Sequence, residues 1–305
     1  MRRLLIVYNP RSSRFIDVEK EVLSKVRNLE GYMVGKYEVE PTDVDKNSTK
    51  FAKLLKDGDL VVSAGGDATG IIASNGILKS EKNVTLAVLP YGNFNDLART
   101  LGTKTIEDVF SKDFTTKKLY PLEIYIDGKF FRYATCYMTI GMTAEACELF
   151  DEPDFRKEMQ KGHKSSWRSY IALSKWYFKN RHKKEFIPPF TLNGKPTASK
   201  VSDYCALSGR SMCRVMKGGD DYLKPKVFRS ENCRLTNLWR LTKLMTASIL
   251  KRTPGTETKG DKIEFLKPAT VELQAEGEYR IFKNIKTIEV KKGKKCLKVI
   301  HTSSR

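Results

Sequence analysis

Histidine is scarce in this 305-residue chain: His163, His182 and His301 are the only three. Chemistry that rests on an imidazole base, Ser-His-Asp hydrolysis included, is therefore not expected. The six cysteines (Cys136, Cys147, Cys205, Cys213, Cys233 and Cys296) contain no Cys-x-x-Cys pair and, with so few histidines, no recognisable zinc set. They read as reduced thiols of a cytosolic protein. Apolar runs such as Leu4-Leu5-Ile6-Val7 are short, far below the ~18 residues that a spanning helix needs. The run after Met1-Arg2-Arg3 stops at Tyr8-Asn9-Pro10, before a secretory apolar region is complete, so it reads as a first strand. No Gly-x-x-x-x-Gly-Lys-[Ser/Thr] element occurs, which excludes a Walker P-loop.

What abounds is positive charge. Lys and Arg number 56 against 36 acidic residues, a net +20, and a field of that sign concentrates anionic partners. Acidic lipid headgroups and polyphosphate ligands fit it. Nucleic acid is not expected, because no recognition-helix or zinc-finger pattern accompanies the charge. The basic residues cluster at Lys179, Arg181, Lys183 and Lys184, at Lys251-Arg252 and from Lys291 to Lys298. Each cluster alone is explained by a solvated face; the total points to an acidic surface as partner.

Hydrophobic periodicity divides the chain in two. Up to about residue 110, strand-like runs (Leu4–Tyr8, Tyr32–Val39, Leu60–Ser63, Val84–Leu89) alternate with helical stripes. One stripe is Phe15, Val18, Val22, Val26 and Leu29; Phe51, Leu54 and Leu55 mark a second, and a third follows Thr69. Such alternation predicts an α/β domain with a parallel sheet between helices, its ligands at the carboxyl ends of the strands. From Leu119 the turn signals Asp127-Gly128, Asn193-Gly194 and Glu276-Gly277 lie between extended stretches and predict an antiparallel, β-rich second domain. Helical stretches at about 165–181 and 237–251 interrupt it, and Cys296–Ile300 reads as a lone strand.

Three polar loops leave the strands at one edge. Val61-Val62-Ser63-Ala64-Gly65-Gly66-Asp67-Ala68-Thr69-Gly70 runs from a strand into a helix. Its glycines let backbone N–H groups approach a ligand, and the helix N-terminus favours phosphate. Leu89-Pro90-Tyr91-Gly92-Asn93-Phe94-Asn95-Asp96-Leu97-Ala98-Arg99 follows the next strand, and Tyr8-Asn9-Pro10-Arg11-Ser12-Ser13 follows the first. Alone, the first loop is equally an ordinary turn and Asp96 equally a helix cap; together the three make a nucleotide crevice.

These motifs resemble the diacylglycerol kinase catalytic family, whose soluble bacterial lipid kinases are relatives of sphingosine and ceramide kinases. Asn95-Asp96-Leu97-Ala98-Arg99 is the most specific segment, since the Gly-Gly-Asp loop is shared with NAD kinases and phosphofructokinases. The resemblance covers essentially the whole chain. It implies a NAD kinase/diacylglycerol kinase-like fold: a three-layer parallel-sheet nucleotide domain (1–120 plus about 285–305) and a β-sandwich-like, lipid-substrate domain (121–284). The implied reaction transfers the γ-phosphate of ATP, with Mg²⁺, to a lipid hydroxyl, diacylglycerol first. Asn9, Arg11, Ser12, Thr42, Gly65, Gly66, Asp67, Ala68, Thr69, Gly92, Asn93, Asn95 and Asp96 would line the nucleotide. Asp67 would be the carboxylate nearest Mg²⁺. The family's late Asp-Gly-Glu corresponds to Glu276-Gly277-Glu278, with Glu278 as general base and Glu276 positioning the site or its metal. Residues two apart on an extended chain face one side, which would point both acids into one cleft.

The chain departs from the family pattern in places. Ala68 stands for a glycine, Asn93-Phe94 for Thr-Gly and Glu276 for Asp. The Gly218-Gly219-Asp220-Asp221 segment lacks the Asp-Gly that follows it in members with a structural magnesium site. Alternative readings are therefore a catalytically weakened or inert relative that binds an anionic membrane or nucleotide, and an NAD kinase. A homodimer stays open. Trp167, Tyr170, Ile171, Trp176, Tyr177 and Phe178 interleave with Lys164, Arg168, Lys175, Lys179 and Arg181. This pattern suits either a helix lying on an anionic membrane or one packing its aromatics inward; the first would hold a cytoplasmic protein peripherally at the inner membrane face.

Overall fold

The structure, a computed structural model, describes residues 2–12, 14–27, 29–40, 43–92, 94–110, 115–149, 171, 174–176, 178–179, 187–197, 201–209, 211–212, 216–217, 226–231, 256–258 and 261–302. The expected helix at 237–251, and Thr42, Asn93 and Gly218–Asp221, lie outside these residues. Of the expected helix at 165–181, the described residues Ile171, Ser174, Lys175, Trp176, Phe178 and Lys179 are helical.

The N-terminal sheet holds β1 (Arg2–Tyr8), β2 (Tyr32–Glu38), β3 (Leu60–Gly65) and β4 (Thr85–Pro90) in the order β2-β1-β3-β4, all parallel. β5 (Thr115–Leu119) closes the sheet as an antiparallel edge strand. The inner strands are apolar on both faces because both are covered. Leu4, Ile6, Val62, Ala64, Ala87 and Leu89 pack on one side, with Val18, Val22 and Val26 from the helical stretch α1 (Phe15–Val18), a π turn (Glu19–Leu23) and α2 (Ser24–Val26). Leu5, Val7, Val61, Leu86 and Val88 face the other side, toward α3 (Val44–Ala52), α4 (Asp67–Ser80) and α5 (Asp96–Leu101). A short α6 (Ile106–Phe110) completes this lobe.

Two helices depart from the sequence expectation. α3 ends before Leu54, which is exposed, whereas Phe51 is fully buried against α4. Their contact is tight enough that a Cβ on Gly76 would meet Phe51 Cδ1 at 2.7 Å. α4 begins at Asp67, earlier than the stripe after Thr69 suggested, and is buried from Thr69 to Leu78. A helix enclosed on all sides carries little amphipathic signal.

After β5 the chain enters an antiparallel sheet. It contains β6 (Leu122–Ile126), β7 (Lys129–Ala134), β8 (Tyr137–Gly141), β9 (Phe190–Leu192), β10 (Lys195–Pro196), β11 (Val201–Leu207), β14 (Lys226–Glu231), β15 (Thr256–Thr258), β16 (Lys262–Ala275) and β17 (Glu278–Lys292). β12 (Ser211–Met212) and β13 (Met216–Lys217) form a separate ribbon, and α7 (Met142–Glu148) follows β8. All three turn signals close two-residue hairpins in which both central residues have positive φ: Asp127 and Gly128, Asn193 and Gly194, Glu276 and Gly277. That is the twist-matched turn such residue pairs favour. The last strand is not alone. β18 (Leu297–His301) returns to the first sheet, parallel to β4 and antiparallel to β5. The fold is thus the expected mixed α/β arrangement of a parallel-rich sheet and an antiparallel one.

Candidate active site

The three polar loops meet at the carboxyl edge of the first sheet. Gly65 and Gly66 carry the chain from β3 into α4, and Gly92 lies against them so closely that a Cβ there would meet Gly66 Cα at 2.3 Å. The Tyr91 N–H donates to the Gly65 carbonyl (3.1 Å), which zips the second loop onto the first. The loop after β1 joins from the other side. Asn9 Oδ1 accepts the Arg11 N–H (2.9 Å), the Ser12 hydroxyl donates to the Tyr91 carbonyl (3.4 Å), and Arg14 reaches the Pro90 carbonyl (3.1 Å) over the Tyr91 ring. Arg11 itself is exposed.

Within this crevice several expected ligands are committed elsewhere. The Asn95 side chain turns back on its own loop: Oδ1 accepts the Gly92 N–H (2.7 Å), and Nδ2 donates to the carbonyls of Gly92 (2.7 Å) and Pro90 (3.3 Å). Asn95 therefore shapes the loop at a left-handed φ of 55°, and the Gly92 N–H expected on phosphate is already taken. The buried Thr69 side chain lies against Gly65. Ala68 is exposed. By contrast, the N-cap of α4, Gly66, brings no capping side chain, and first-turn amides of a helix suit an anion.

Asp67 joins the two loops. Its carboxylate accepts the N–H groups of Asn95 (3.0 Å) and Asp96 (2.8 Å), capping α5 from outside. Burial raises the Asp67 pKa, against those two bonds and the nearby Arg99 charge. Buried Asp96 sits 3.8 Å from the Arg99 guanidinium.

Across the crevice stands Glu276. Its Oε1 accepts from the Thr135 hydroxyl and the Cys136 N–H, while Oε2 is buried with no hydrogen-bond partner among the described residues. Asp67, Asp96, Thr135, Cys136 and Glu276 share the lining of one cavity with Ile71 and Leu97. About 10 Å³ is room for one water or a bare ion. Burial lifts the Glu276 pKa from 4.5 to about 7, Thr135 and Cys136 restraining it and the Asp67 charge adding to it. Burial also pushes the Cys136 thiol well above its usual range, the setting of a structural rather than a reactive cysteine.

The expected alternation of Glu276 and Glu278 does not apply, because the two acids straddle a turn. Glu276 is its first central residue, whereas Glu278 opens β17 opposite Ala275, half-buried. The sequence reading also missed Thr135, Cys136 and Asn75. Asn75 pairs with both backbone groups of Tyr133 (3.1 and 3.2 Å), fixing β7 against α4. Only Asn75 had a readable signal: Asp67, Ile71 and Asn75 recur every four residues, one face of a helix.

Glu276 makes stability pH-dependent. The folded protein binds this proton more tightly than the unfolded chain, so the contribution is complete below pH 4.5 and is lost as pH rises through 7. The loss is on the order of 3 kcal/mol. In Mg²⁺-free buffer, Tm should fall between pH 5 and 8, and Glu276→Gln should flatten that fall and melt above wild type at pH 8. Equal pH profiles for the two proteins would contradict the assignment.

The residues fit Mg²⁺ and a nucleotide. A buried carboxylate oxygen without a hydrogen-bond partner among the described residues shares a cavity with a second carboxylate, beside a glycine cradle and the N-terminus of α4. Among the described residues no group of three His, Cys, Asp or Glu side chains could hold a metal by itself, and Mg²⁺ in nucleotide sites relies on one or two carboxylates plus phosphate oxygens.

Residues 3–119 match the family described as the diacylglycerol kinase catalytic domain. The chain is similar to a diacylglycerol kinase of Bacillus subtilis (strain 168), 37% identical over 106 residues, covering 33% of this chain and 34% of the relative. A diacylglycerol kinase of Staphylococcus haemolyticus (strain JCSC1435) is 32% identical over 118 residues, covering 37% of this chain and 35% of its own. The matched stretch thus spans about a third of these relatives' length. The whole fold resembles a crystal structure of a diacylglycerol kinase from Bacillus anthracis str. Sterne, with a TM-score of 0.67 at 18% identity over 98% of this chain and 96% of that one. Residues 3–119 of this chain are thus similar to the diacylglycerol kinase catalytic domain.

Proposed function

We propose that the protein is a lipid kinase that transfers the γ-phosphate of ATP to the hydroxyl of a membrane lipid, diacylglycerol first. The observation that carries this reading is the buried Glu276 facing Asp67 across the crevice where the glycine loops meet. Residues 1–120, with the returning strand, serve as the nucleotide lobe. The antiparallel sheet serves as the acceptor lobe, its strand β17 running on to Lys292.

Phosphoryl transfer needs in-line phosphates, neutralised charge and a base at the nucleophile, with little covalent help. Amides of the first turn of α4, with Gly65 and Gly66, hold the phosphate oxygens. Mg²⁺, when bound, neutralises phosphate charge beside Asp67. Glu276 keeps Thr135 and Cys136 in place and presents its open oxygen to the same space. Glu278, half-buried at the start of β17, takes the proton from the acceptor hydroxyl.

Incubation with labelled ATP, Mg²⁺ and vesicles holding a panel of lipid alcohols tests the reading. Labelled phosphatidate is expected. Absence of label on every lipid, with ATP still bound, would support the inert binder; label on NAD would support the NAD kinase.

The site works at the inner face of the cytoplasmic membrane, held there by charge. Among the described residues no helix is long and apolar enough to cross a membrane. The net charge of +20 suits an anionic leaflet, where each basic residue adds about 1 kcal/mol. Co-sedimentation with anionic vesicles should be strong in dilute buffer and lost by roughly 0.5 M salt. Binding that survives that salt would contradict electrostatic attachment.

A further inference from the structure

Among the described residues, one ion-pair cluster ties α3 of the nucleotide lobe to β7 and β17 of the other sheet. Asp43, the N-cap of α3, and Asp45 both face Arg280, with Asp45 Oδ2 at 3.0 Å from its guanidinium. Arg132 reaches the same Asp45 oxygen at 2.9 Å and is only 1% exposed. Both guanidiniums lie over the Phe131 ring, at 4.9 and 5.5 Å, and Phe131 packs edge-on against Phe282 of β17. A charge buried as deeply as Arg132 is tolerable only with a carboxylate beside it. The cluster is thus a defined joint between the lobes.

Its place along β17 gives it a role. Glu278, Arg280 and Phe282 alternate on one face of that strand, opposite the buried Ala275, Leu273 and Val271. Arg280 therefore sits about 7 Å along the strand from Glu278. Asp43 starts the helix that follows β2, at the same sheet edge as the two glycine loops. We propose that Arg280, gripped by Asp43 and Asp45, is a positioning residue that fixes the Glu276–Glu278 hairpin at the working distance from the nucleotide lobe.

The consequence is a split between binding and turnover. The phosphate-holding amides belong to α4 and its glycine loops rather than to the hairpin, so loosening the hairpin should leave KM for ATP near that of wild type. It lets the base drift from the acceptor, and misplacement by about 1 Å costs on the order of 100-fold in rate. Desolvation alone would raise the Asp43 carboxyl. The Asp45 N–H and the Arg280 and Arg132 charges outweigh it and keep Asp43 below its usual value, so Asp43 stays ionised at neutral pH.

This inference rests on the lipid kinase reading, and the experiment separates the two. Arg280→Ala, Arg280→Lys and Asp43→Asn are compared with wild type for kcat, KM for ATP, and amide exchange of residues 275–280 against β4. Asn keeps the α3 cap, so Asp43→Asn probes the joint even if Arg280→Ala folds poorly. The expected result for Arg280→Ala is a kcat lowered tenfold or more, about as a small misplacement predicts, with KM for ATP unchanged. Arg280→Lys should recover part of that loss, and exchange should quicken in the hairpin but not in β4. Unchanged kcat and exchange in Arg280→Ala and Asp43→Asn would overturn the proposal, as would equal loss in Arg280→Ala and Arg280→Lys with a quiet hairpin. A wild type with no lipid kinase activity refutes the kinase reading instead; the exchange result alone then decides the joint.

Discussion

Glu278→Gln should lower the turnover of lipid phosphorylation about a thousandfold, within the ~10²–10⁴ that a positioned base contributes, and leave ATP affinity unchanged. The amide keeps the size and hydrogen-bonding reach of the carboxylate but cannot accept a proton, so the loss falls on the chemical step. Glu276→Gln makes the informative contrast. There the amide oxygen can still accept from Thr135 and Cys136, and its NH₂ can face Asp67, which relieves the repulsion between the two acids. Activity should fall while stability at pH 8 rises, the trade expected where a site holds strain for function. Single-turnover kinetics with calorimetric ATP titration separates the cases. Full activity in Glu278→Gln would remove Glu278 as base.

Gly92→Ala should abolish measurable nucleotide binding, weakening it by about 100-fold or more, since backbone atoms cannot move aside as side chains can. The added methyl would lie 2.3 Å from Gly66 Cα and 2.9 Å from Asn95 Oδ1. Relieving the first contact means parting the two phosphate loops; relieving the second breaks the bond by which Asn95 shapes its own loop. Overpacking of this kind also costs about 1–3 kcal/mol of stability. Gly277→Ala is the control. Its Cβ would meet nothing within 4 Å, although a φ of 91° strains any side chain, so it should lose only about 1 kcal/mol. Calorimetric ATP titration and thermal melts of both variants give the comparison, and normal ATP affinity in Gly92→Ala would contradict the contact.

Much of this arrangement was legible in the chain, for reasons that can be named. β1 to β4 showed as apolar runs because a parallel sheet covered on both faces needs them, and Asp127-Gly128, Asn193-Gly194 and Glu276-Gly277 announced their hairpins because few residue pairs accept positive φ twice. The converging loops followed from strand direction. What stayed hidden depends on long-range geometry. Leu297–His301 inserts between β4 and β5, a pairing that separation in sequence conceals. Asn95 carries the polar atoms of a ligand and spends them on its own loop. Thr135, Cys136, Arg132 and Arg280 look like ordinary strand residues until the sheets meet, since alternation within a strand says nothing of the lobe opposite. The relation of Glu276 to Glu278 failed for a local reason: the period of two belongs to extended chain, and these residues straddle its reversal.

The central claim is that α4 and its glycine loops hold the phosphates while the hairpin acids close the same crevice. A crystal structure with a non-hydrolysable ATP analogue and Mg²⁺ tests it most directly. The terminal phosphates should lie against the first turn of α4, with Mg²⁺ near Asp67 and with Glu276 and Glu278 on the facing wall. Phosphates seated away from that turn, or separated from both glutamates by the bulk of either sheet, would contradict it.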